Sequence, residues 1–313
     1  MKLFPLPLLI LFCLTATAAE PTRFVFEGVE MAVTVRFVIF AEEEETAKNA
    51  ANAGFKRFRE LNAIMSDYDS DSELSLLSTK PIKTWIPLSD DLFDVMQTAR
   101  EIGTQSEGAF DISVGPMVRL WRRARRMKEL PKQEYIDHAK NVVGLDKWEL
   151  DPETKSIRLH KEGMRFDLGG IAKGYATDEA AKRFRASGVE IFLIDAGGDL
   201  YWGKTPKEGF KVMMQSSMIT VTIPNKGMAT SGDTYQHVEI DGRRYSHLVD
   251  PKTGMGLTES SIVSVLATTG MEADALASAV SVLGPEKGMA FIKKRKNTSC
   301  QIVFQSENWP FSQ

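Results

Sequence analysis

Cysteine is nearly missing from the 313 residues: only Cys13 and Cys300 occur. If Cys13 leaves with the leader described below, no intrachain disulfide and no cysteine-based zinc site can form. Histidine is scarce too, with four in the chain. His138 and His160 sit in no motif, His237 lies in a strand-like run, and no spacing suggests a histidine-ligated metal. A large charge of one sign is also lacking: the net charge is −3, which gives no general attraction to nucleic acid or to an anionic membrane. After the first twenty residues no run approaches the length of a membrane-spanning helix, so no transmembrane segment is expected. There is no internal repeat, linker or low-complexity tract. The nucleophile elbow G-x-S-x-G is absent. What remains is ordinary for a globular chain, 43% hydrophobic and 26% charged, which argues against wholesale disorder, a collagen-like fibre and a coiled coil.

The first residues, MKLFPLPLLILFCLTATAA, form a secretory leader pattern. Lys2 precedes an apolar run from Leu3 to Leu14, and Ala16-Thr17-Ala18 fits an A-x-A cleavage site after Ala18. Phe12 before Cys13 does not suit a lipidation site, so no lipid anchor is expected. Residues 1–18 are thus read as a signal peptide and 19–313 as one exported, periplasmic or otherwise extracytoplasmic unit. Residues 23–40 alternate apolar and polar positions around Gly28 and read as a hairpin. Helices are expected over 42–61, from a Ser89 cap to about Gly103, and over 115–128, 170–185 and 271–283. Short strands are expected within 146–167, then at 191–194, through about 245, near 261–267 and at 300–304. Mixed order of this kind predicts an α+β fold: a single compact, two-lobed domain with mixed sheets and flanking helices. The basic run Arg119, Arg122, Arg123, Arg125, Arg126 and Lys128 reads as a solvated helix face opposite a buried stripe of Val118, Leu120 and Trp121. Cys300 is expected to be a buried, inert thiol.

Several segments concentrate small and polar residues. Met65 to Ser75 is acidic but fails the EF-hand pattern, and its Tyr68 could stack on a flat ring or simply be a loop tyrosine. In Gly108–Pro116, Phe110 and Asp111 could hold an aromatic ligand and one polar edge, or form a turn with Pro116 opening a helix. Asp167-Leu-Gly-Gly-Ile-Ala-Lys-Gly-Tyr175 is a glycine-rich turn leading into a helix, which suits phosphate, although it matches neither the dinucleotide fingerprint nor the P-loop. Asp195-Ala-Gly-Gly-Asp199 is either similar or a tight β-turn. Asp274 and Ser278 lie four apart on one helical face among small apolar residues. A carboxylate there needs a partner or a metal, and carboxylate with hydroxyl is hard-oxygen chemistry suited to Mg²⁺. A buried hydrogen bond is the other reading. His247 and Asp250 could be an acid/base pair or a hydrogen-bonded turn.

Seven motifs, in order, resemble those of the ApbE family, the FAD:protein FMN transferases: M-S-D-Y-x-x-x-S-E-L-S at 65–75, G-A-F-D-I-S-V-G-P at 108–116, D-L-G-G-I-A-K-G-Y at 167–175, D-A-G-G-D at 195–199, A-T-S-G-D at 229–233, Y-S-H-L-V-D-P-x-T-G at 245–254 and A-D-A-L-A-S at 273–278. The resemblance implies a Mg²⁺-dependent enzyme that moves the FMN part of FAD onto a threonine or serine hydroxyl of an exported or membrane redox protein and releases AMP. The acceptor it implies is a flavin-carrying redox subunit with a Ser/Thr-Gly-Ala-Thr-like loop. Carried over by motif, the Ala172 carbonyl, Asp274 and Ser278 would hold the metal. Met31, Tyr68, Ala109, Phe110, Asp111, Gly169, Tyr175 and Leu248 would contact FAD, and His247 and Asp250 would be catalytic candidates. Ser278 stands where the family usually has threonine, and Ala32 follows Met31 where glycine is usual. A Mg²⁺-dependent FAD pyrophosphatase and a non-catalytic flavin carrier would use the same site.

Overall fold

The structure, a computed structural model, describes residues 20–214, 217–232 and 236–304. The expected leader cleavage, Asp233 of the fifth motif and the last nine residues lie outside them. In chain order the elements are β1 (Thr22–Glu30), β2 (Val33–Ala41), α1 (Glu44–Met65), α2 (Glu73–Leu77), β3 (Trp85–Pro87), α3 (Asp90–Gln105), α4 (Gly115–Met127) and α5 (Gln133–Lys140). After them come β4 (Trp148–Asp151), β5 (Ser156–Leu159), α6 (Ala172–Ala186), β6 (Ile191–Ala196), β7 (Asp199–Trp202), β8 (Phe210–Met214) and β9 (Ser217–Val221). The chain closes with β10 (Lys226–Gly232), β11 (His237–Ile240), β12 (Arg243–Ser246), β13 (Ser261–Ala267), α7 (Gly270–Leu283), α8 (Pro285–Lys293) and β14 (Ser299–Phe304). The arrangement is α+β, as the mixed order predicts.

A seven-stranded sheet runs β1-β2-β6-β7-β10-β13-β14, every neighbour antiparallel. Alternation along β2 sorts its side chains to two faces. Val35, Phe37 and Ile39 point to the helical side and are fully buried. There α1 and α6 close over them, and Phe184 of α6 meets Phe37 edge-on at 5.0 Å and Phe192 of β6 at 5.2 Å. Full burial of each such ring is worth roughly 1.5–3 kcal/mol. Val38 points to the other face, where the β8–β9 hairpin covers it together with Trp202 and Met228. A third, smaller core unites α4 with β11 and β12, although these segments are far apart in the chain. Trp121 fills it beside Tyr245 at 5.1 Å, and its indole N–H donates to the Gly254 carbonyl at 2.9 Å.

Three sequence expectations shift. The first hairpin turns at Met31 and Ala32, whose φ values of 49° and 60° are left-handed, not at Gly28. Gly28 sits inside the ladder opposite Val35, where a Cβ would lie 2.9 Å from the Phe55 ring. Helix α5 was not foreseen, because only Ile136 and Ala139 of its eight residues are buried and no side chain caps it. In α4, Trp121 is buried, whereas Val118 and Leu120 are only partly so, and Arg122 leaves the solvated face that the basic run suggested. Cys300 is half-buried in β14, and burial pushes its thiol up to about 11, which keeps it protonated and inert. Among the described residues no helix is long and apolar enough to cross a membrane.

Candidate functional site at the crossing of two helices

Helices α6 and α7 cross at a pair of glycines. A Cβ on Gly174 would lie 2.2 Å from the Gly270 carbonyl oxygen, and one on Gly270 would lie 2.3 Å from Thr177 Oγ1. Only glycine at both places lets the two backbones come this close. The approach lets each helix terminate the other. The Gly174 N–H, in the first turn of α6, donates to Asp274 Oδ2 of α7 at 3.2 Å. The Gly270 and Met271 N–H groups, in the first turn of α7, donate to Asp178 of α6 at 2.7 and 2.9 Å. N–H groups that lack partners within the helix are thus satisfied by carboxylates, which the positive helix ends also favour.

Asp274 is only 5% exposed. The partner that its burial demands is Lys173, whose ammonium lies 3.9 Å from Asp274 and pairs directly with Asp199 at the start of β7. Burial, with Asp199 as a second carboxylate close by, pushes Asp274 up to about 7. One ammonium against two carboxylates leaves this cluster one negative charge in excess when both ionise. Sequence reasoning missed Lys173 and Asp199 as site residues. Both stand inside quoted motifs, but nothing local in the sequence reveals that they meet.

The glycine turn 167–170 enters the same place. Asp167 Oδ1 accepts from the Gly169 N–H at 2.8 Å, and the Asp167 N–H donates to the Ile112 carbonyl at 2.8 Å, which ties this turn to the segment 108–116. A Cβ on Gly170 would fall 2.6 Å from Ser278 Oγ and 3.5 Å from the Phe110 ring. The bare Gly170 therefore lets the turn pack directly against the Ser278 hydroxyl beside the Phe110 ring. Asp274 and Ser278 of α7 thus bring one carboxylate and one hydroxyl to the start of α6. Among the described residues no three histidine, cysteine, aspartate or glutamate side chains converge. Such oxygen donors, beside an uncompensated negative charge, suit a hard divalent cation whose remaining ligands come from water or phosphate.

The other predicted residues are placed less uniformly. Tyr68 stands on the loop after α1, 76% exposed. Ala109 and Phe110 are buried. Asp111 is buried too, its Oδ1 accepting from the Ser113 N–H at 2.8 Å and hydroxyl at 2.6 Å, and burial raises its carboxyl above the ordinary range. Met31 is half-buried in the hairpin turn. The Tyr175 hydroxyl donates to Asp91 at 2.7 Å, within a buried network where Arg57 also binds Asp91 and Glu179. The 195–199 segment is a tight turn between β6 and β7, with Gly197 and Gly198 at φ 67° and 97°. His247 Nδ1 lies 3.1 Å from the Gln236 carbonyl. Asp250 accepts from the Lys252 N–H at 2.9 Å and the Thr253 hydroxyl at 3.1 Å, which is a hydrogen-bonded turn. Leu248 is half-buried between them.

Reciprocally capped helices at a glycine crossing, beside a glycine turn and a buried carboxylate, define the class: an α+β protein whose two helices lock together where that turn meets them. The family is particular. The ApbE family profile matches residues 28–303, and the chain belongs to that family. It is similar to the FAD:protein FMN transferase of Escherichia coli, 32% identical over 266 residues covering 79% of this chain and 76% of that protein. It is 29% identical to the Salmonella typhimurium FAD:protein FMN transferase over 311 residues, 94% of this chain and 88% of that protein. Its fold superposes on the apo form of the Pseudomonas stutzeri flavinyl transferase ApbE with a TM-score of 0.81, at 25% identity, over 92% and 93% of the two chains.

Proposed function

We propose that this chain is a Mg²⁺-dependent FAD:protein FMN transferase, which moves the FMN part of FAD onto a serine or threonine hydroxyl of a redox protein and releases AMP. One observation carries the reading beyond family membership: the buried Asp274, the Ser278 hydroxyl and the Gly169-Gly170 turn converge beside a charge-deficient cluster. Asp274, Ser278 and the Ala172 carbonyl would hold the cation. When bound, Mg²⁺ neutralises charge on phosphate oxygens as the bond to the leaving AMP breaks. The chain's own residues do the rest. Lys173 restrains Asp199 and offsets the negative charge that Asp199 would otherwise present to Asp274. The Asp167 and Gly169 N–H groups are held within the protein, and the positive end of α6 beside this turn would favour a phosphate. The buried Phe110 ring packs beside the Gly170 turn.

The acceptor hydroxyl must lose a proton, and in this reading His247 is the base. A carbonyl can only accept, so the Nδ1–H donates to Gln236, and Nε2 becomes the basic nitrogen of the ring. Asp250 serves the reaction by shaping the turn that follows His247. The acceptor is a flavin-carrying redox subunit with a Ser/Thr-Gly-Ala-Thr-like loop, and the leader-like residues 1–18 support export of the chain to the acceptor's compartment. Incubation with FAD, Mg²⁺ and a candidate acceptor domain tests the reading by mass spectrometry. A gain equal to FMN less one water supports transfer. Free FMN and AMP alone would make the protein a pyrophosphatase, and intact FAD throughout would make it a carrier. Asp274→Ala should abolish turnover while the protein stays folded.

A further inference from the structure

We infer that Arg122 is the positioning residue for the flavin ring, holding Tyr68 as a preformed stacking platform by clamping two separate motifs together. This rests on the proposed flavin transfer and on reading Tyr68, which the family resemblance places among the FAD contacts, as the residue that meets the isoalloxazine. Arg122 projects from α4 but does not face solvent with its basic neighbours. Its Nη1 binds Asp67, the residue next to Tyr68, and its Nη2 donates to Asp167 at 2.9 Å. Asp167 is the residue whose other oxygen accepts from Gly169. The guanidinium carbon lies 4.1 Å from the Tyr68 ring centroid. One planar cation thus holds the platform loop, the glycine turn and the tyrosine ring at once.

The geometry leaves the opposite face of the ring for a ligand. With one face backed by the guanidinium, a residue 76% exposed must present the other face to solvent. Elsewhere the platform is stiff. Ser66 Oγ accepts from the Tyr68 and Asp69 N–H groups at 3.3 and 3.2 Å, and the hydroxyl of Ser72 donates back to the Ser66 carbonyl at 2.5 Å. Without Arg122 the carboxylates of Asp67 and Asp167 would face each other without a cation between them. Their repulsion would open the loop from the turn. A guanidinium is required, because an ammonium cannot bind two carboxylates in a plane and stack on a ring as well.

The test compares binding of FAD and ADP to wild type, Y68A, R122A, R122K and the R122A/Y68A double variant, with flavin fluorescence recorded alongside. Y68A should weaken FAD on the order of tenfold or more, as loss of a ring stack does, and leave ADP unchanged. R122A should weaken FAD by roughly threefold to tenfold, leave ADP unchanged and raise the emission of bound flavin, since the ring no longer rests on an ordered phenol. R122K should resemble R122A. The double variant should equal Y68A, because a platform already removed cannot be misplaced. Equal loss of FAD and ADP in R122A would show that the arginine only supports the turn, and additive losses would show that it acts apart from Tyr68; either overturns the inference. Normal FAD binding by R122A beside a weakened Y68A would also overturn it and leave the Tyr68 reading intact. Unchanged FAD binding by Y68A would remove that reading and the inference with it.

Discussion

Gly174→Ala places a methyl group where the structure has no room for one. Its carbon would lie 2.2 Å from the Gly270 carbonyl oxygen, 2.5 Å from that carbonyl carbon and 2.8 Å from the Met271 nitrogen. All three are backbone atoms at the start of a helix, so no side chain can swing aside. Reaching ordinary contact requires α6 and α7 to part by about 1 Å. Overpacking of this kind costs about 1–3 kcal/mol, here at the upper end, and the better helix propensity of alanine returns roughly 1 kcal/mol. A net loss of about 1–2 kcal/mol lowers the melting temperature by only a few degrees in a chain this long. Activity should fall much further. The same displacement stretches the Gly174 N–H bond to Asp274, and a misplacement of about 1 Å in a catalytic constellation can cost about 100-fold. The assays are a thermal melt and Mg²⁺-dependent FAD consumption on the same preparation. A stable Gly174→Ala protein with wild-type turnover would refute the claim that the helix crossing sets the metal site. Collapse of the fold with turnover intact in the surviving fraction would refute it equally.

Other outcomes follow from named groups. Because burial holds Asp274 near 7, well above its unfolded value of 3.8, its protonated form stabilises the ligand-free fold at low pH, and that contribution is lost as pH rises through about 7. On the proposed Mg²⁺ binding, the cation would have to displace that proton, so its apparent affinity should fall as pH is lowered, and Asp274→Asn should abolish the dependence in a titration series. Arg57→Met should destabilise by about 1–3 kcal/mol in chemical denaturation, because it takes the buried guanidinium from Asp91 and leaves Glu179 only Lys182. Tyr175→Phe should cost about 1 kcal/mol of stability and leave FAD binding unchanged in calorimetry, since the hydroxyl is committed to Asp91. Ala32→Gly should stabilise by about 0.5–1 kcal/mol, because it relieves a left-handed alanine in the first hairpin, as a shift in denaturation midpoint will show.

The legible parts of this protein are those whose signal is local. Alternation at 33–39, the Ser89 cap and the Asp274/Ser278 spacing all lie within a few residues, and the corresponding strand, helix start and shared helical face are present. The illegible parts depend on partners far away in the chain. Lys173 meets Asp199 and Asp274 only because β7, α6 and α7 converge. Arg122 looked like one of several solvated cations, and only Asp67 and Asp167, brought in by other elements, separate it from Arg119 and Arg123. Gly28 attracted the turn because glycine usually marks one, whereas here it makes room for Phe55.

The small core around Trp121 has a consequence for cooperativity. It holds only nine buried residues, supplied by α4, α5 and the β11–β12 region, while the sheet and its helices hold the larger core. A cluster of that size cannot stand alone, and it should open as a sub-global unit well before the sheet melts. The proposed site would draw on both parts, since Asp274 and Ser278 lie on α7 of the large core whereas His247 and Asp250 border the small one. A ligand that touches both couples two melting units into one. Amide exchange in 238–249 should therefore slow far more than exchange in the sheet when the ligand binds, and a single ligand molecule would act as the strut that makes the fold unfold as a whole.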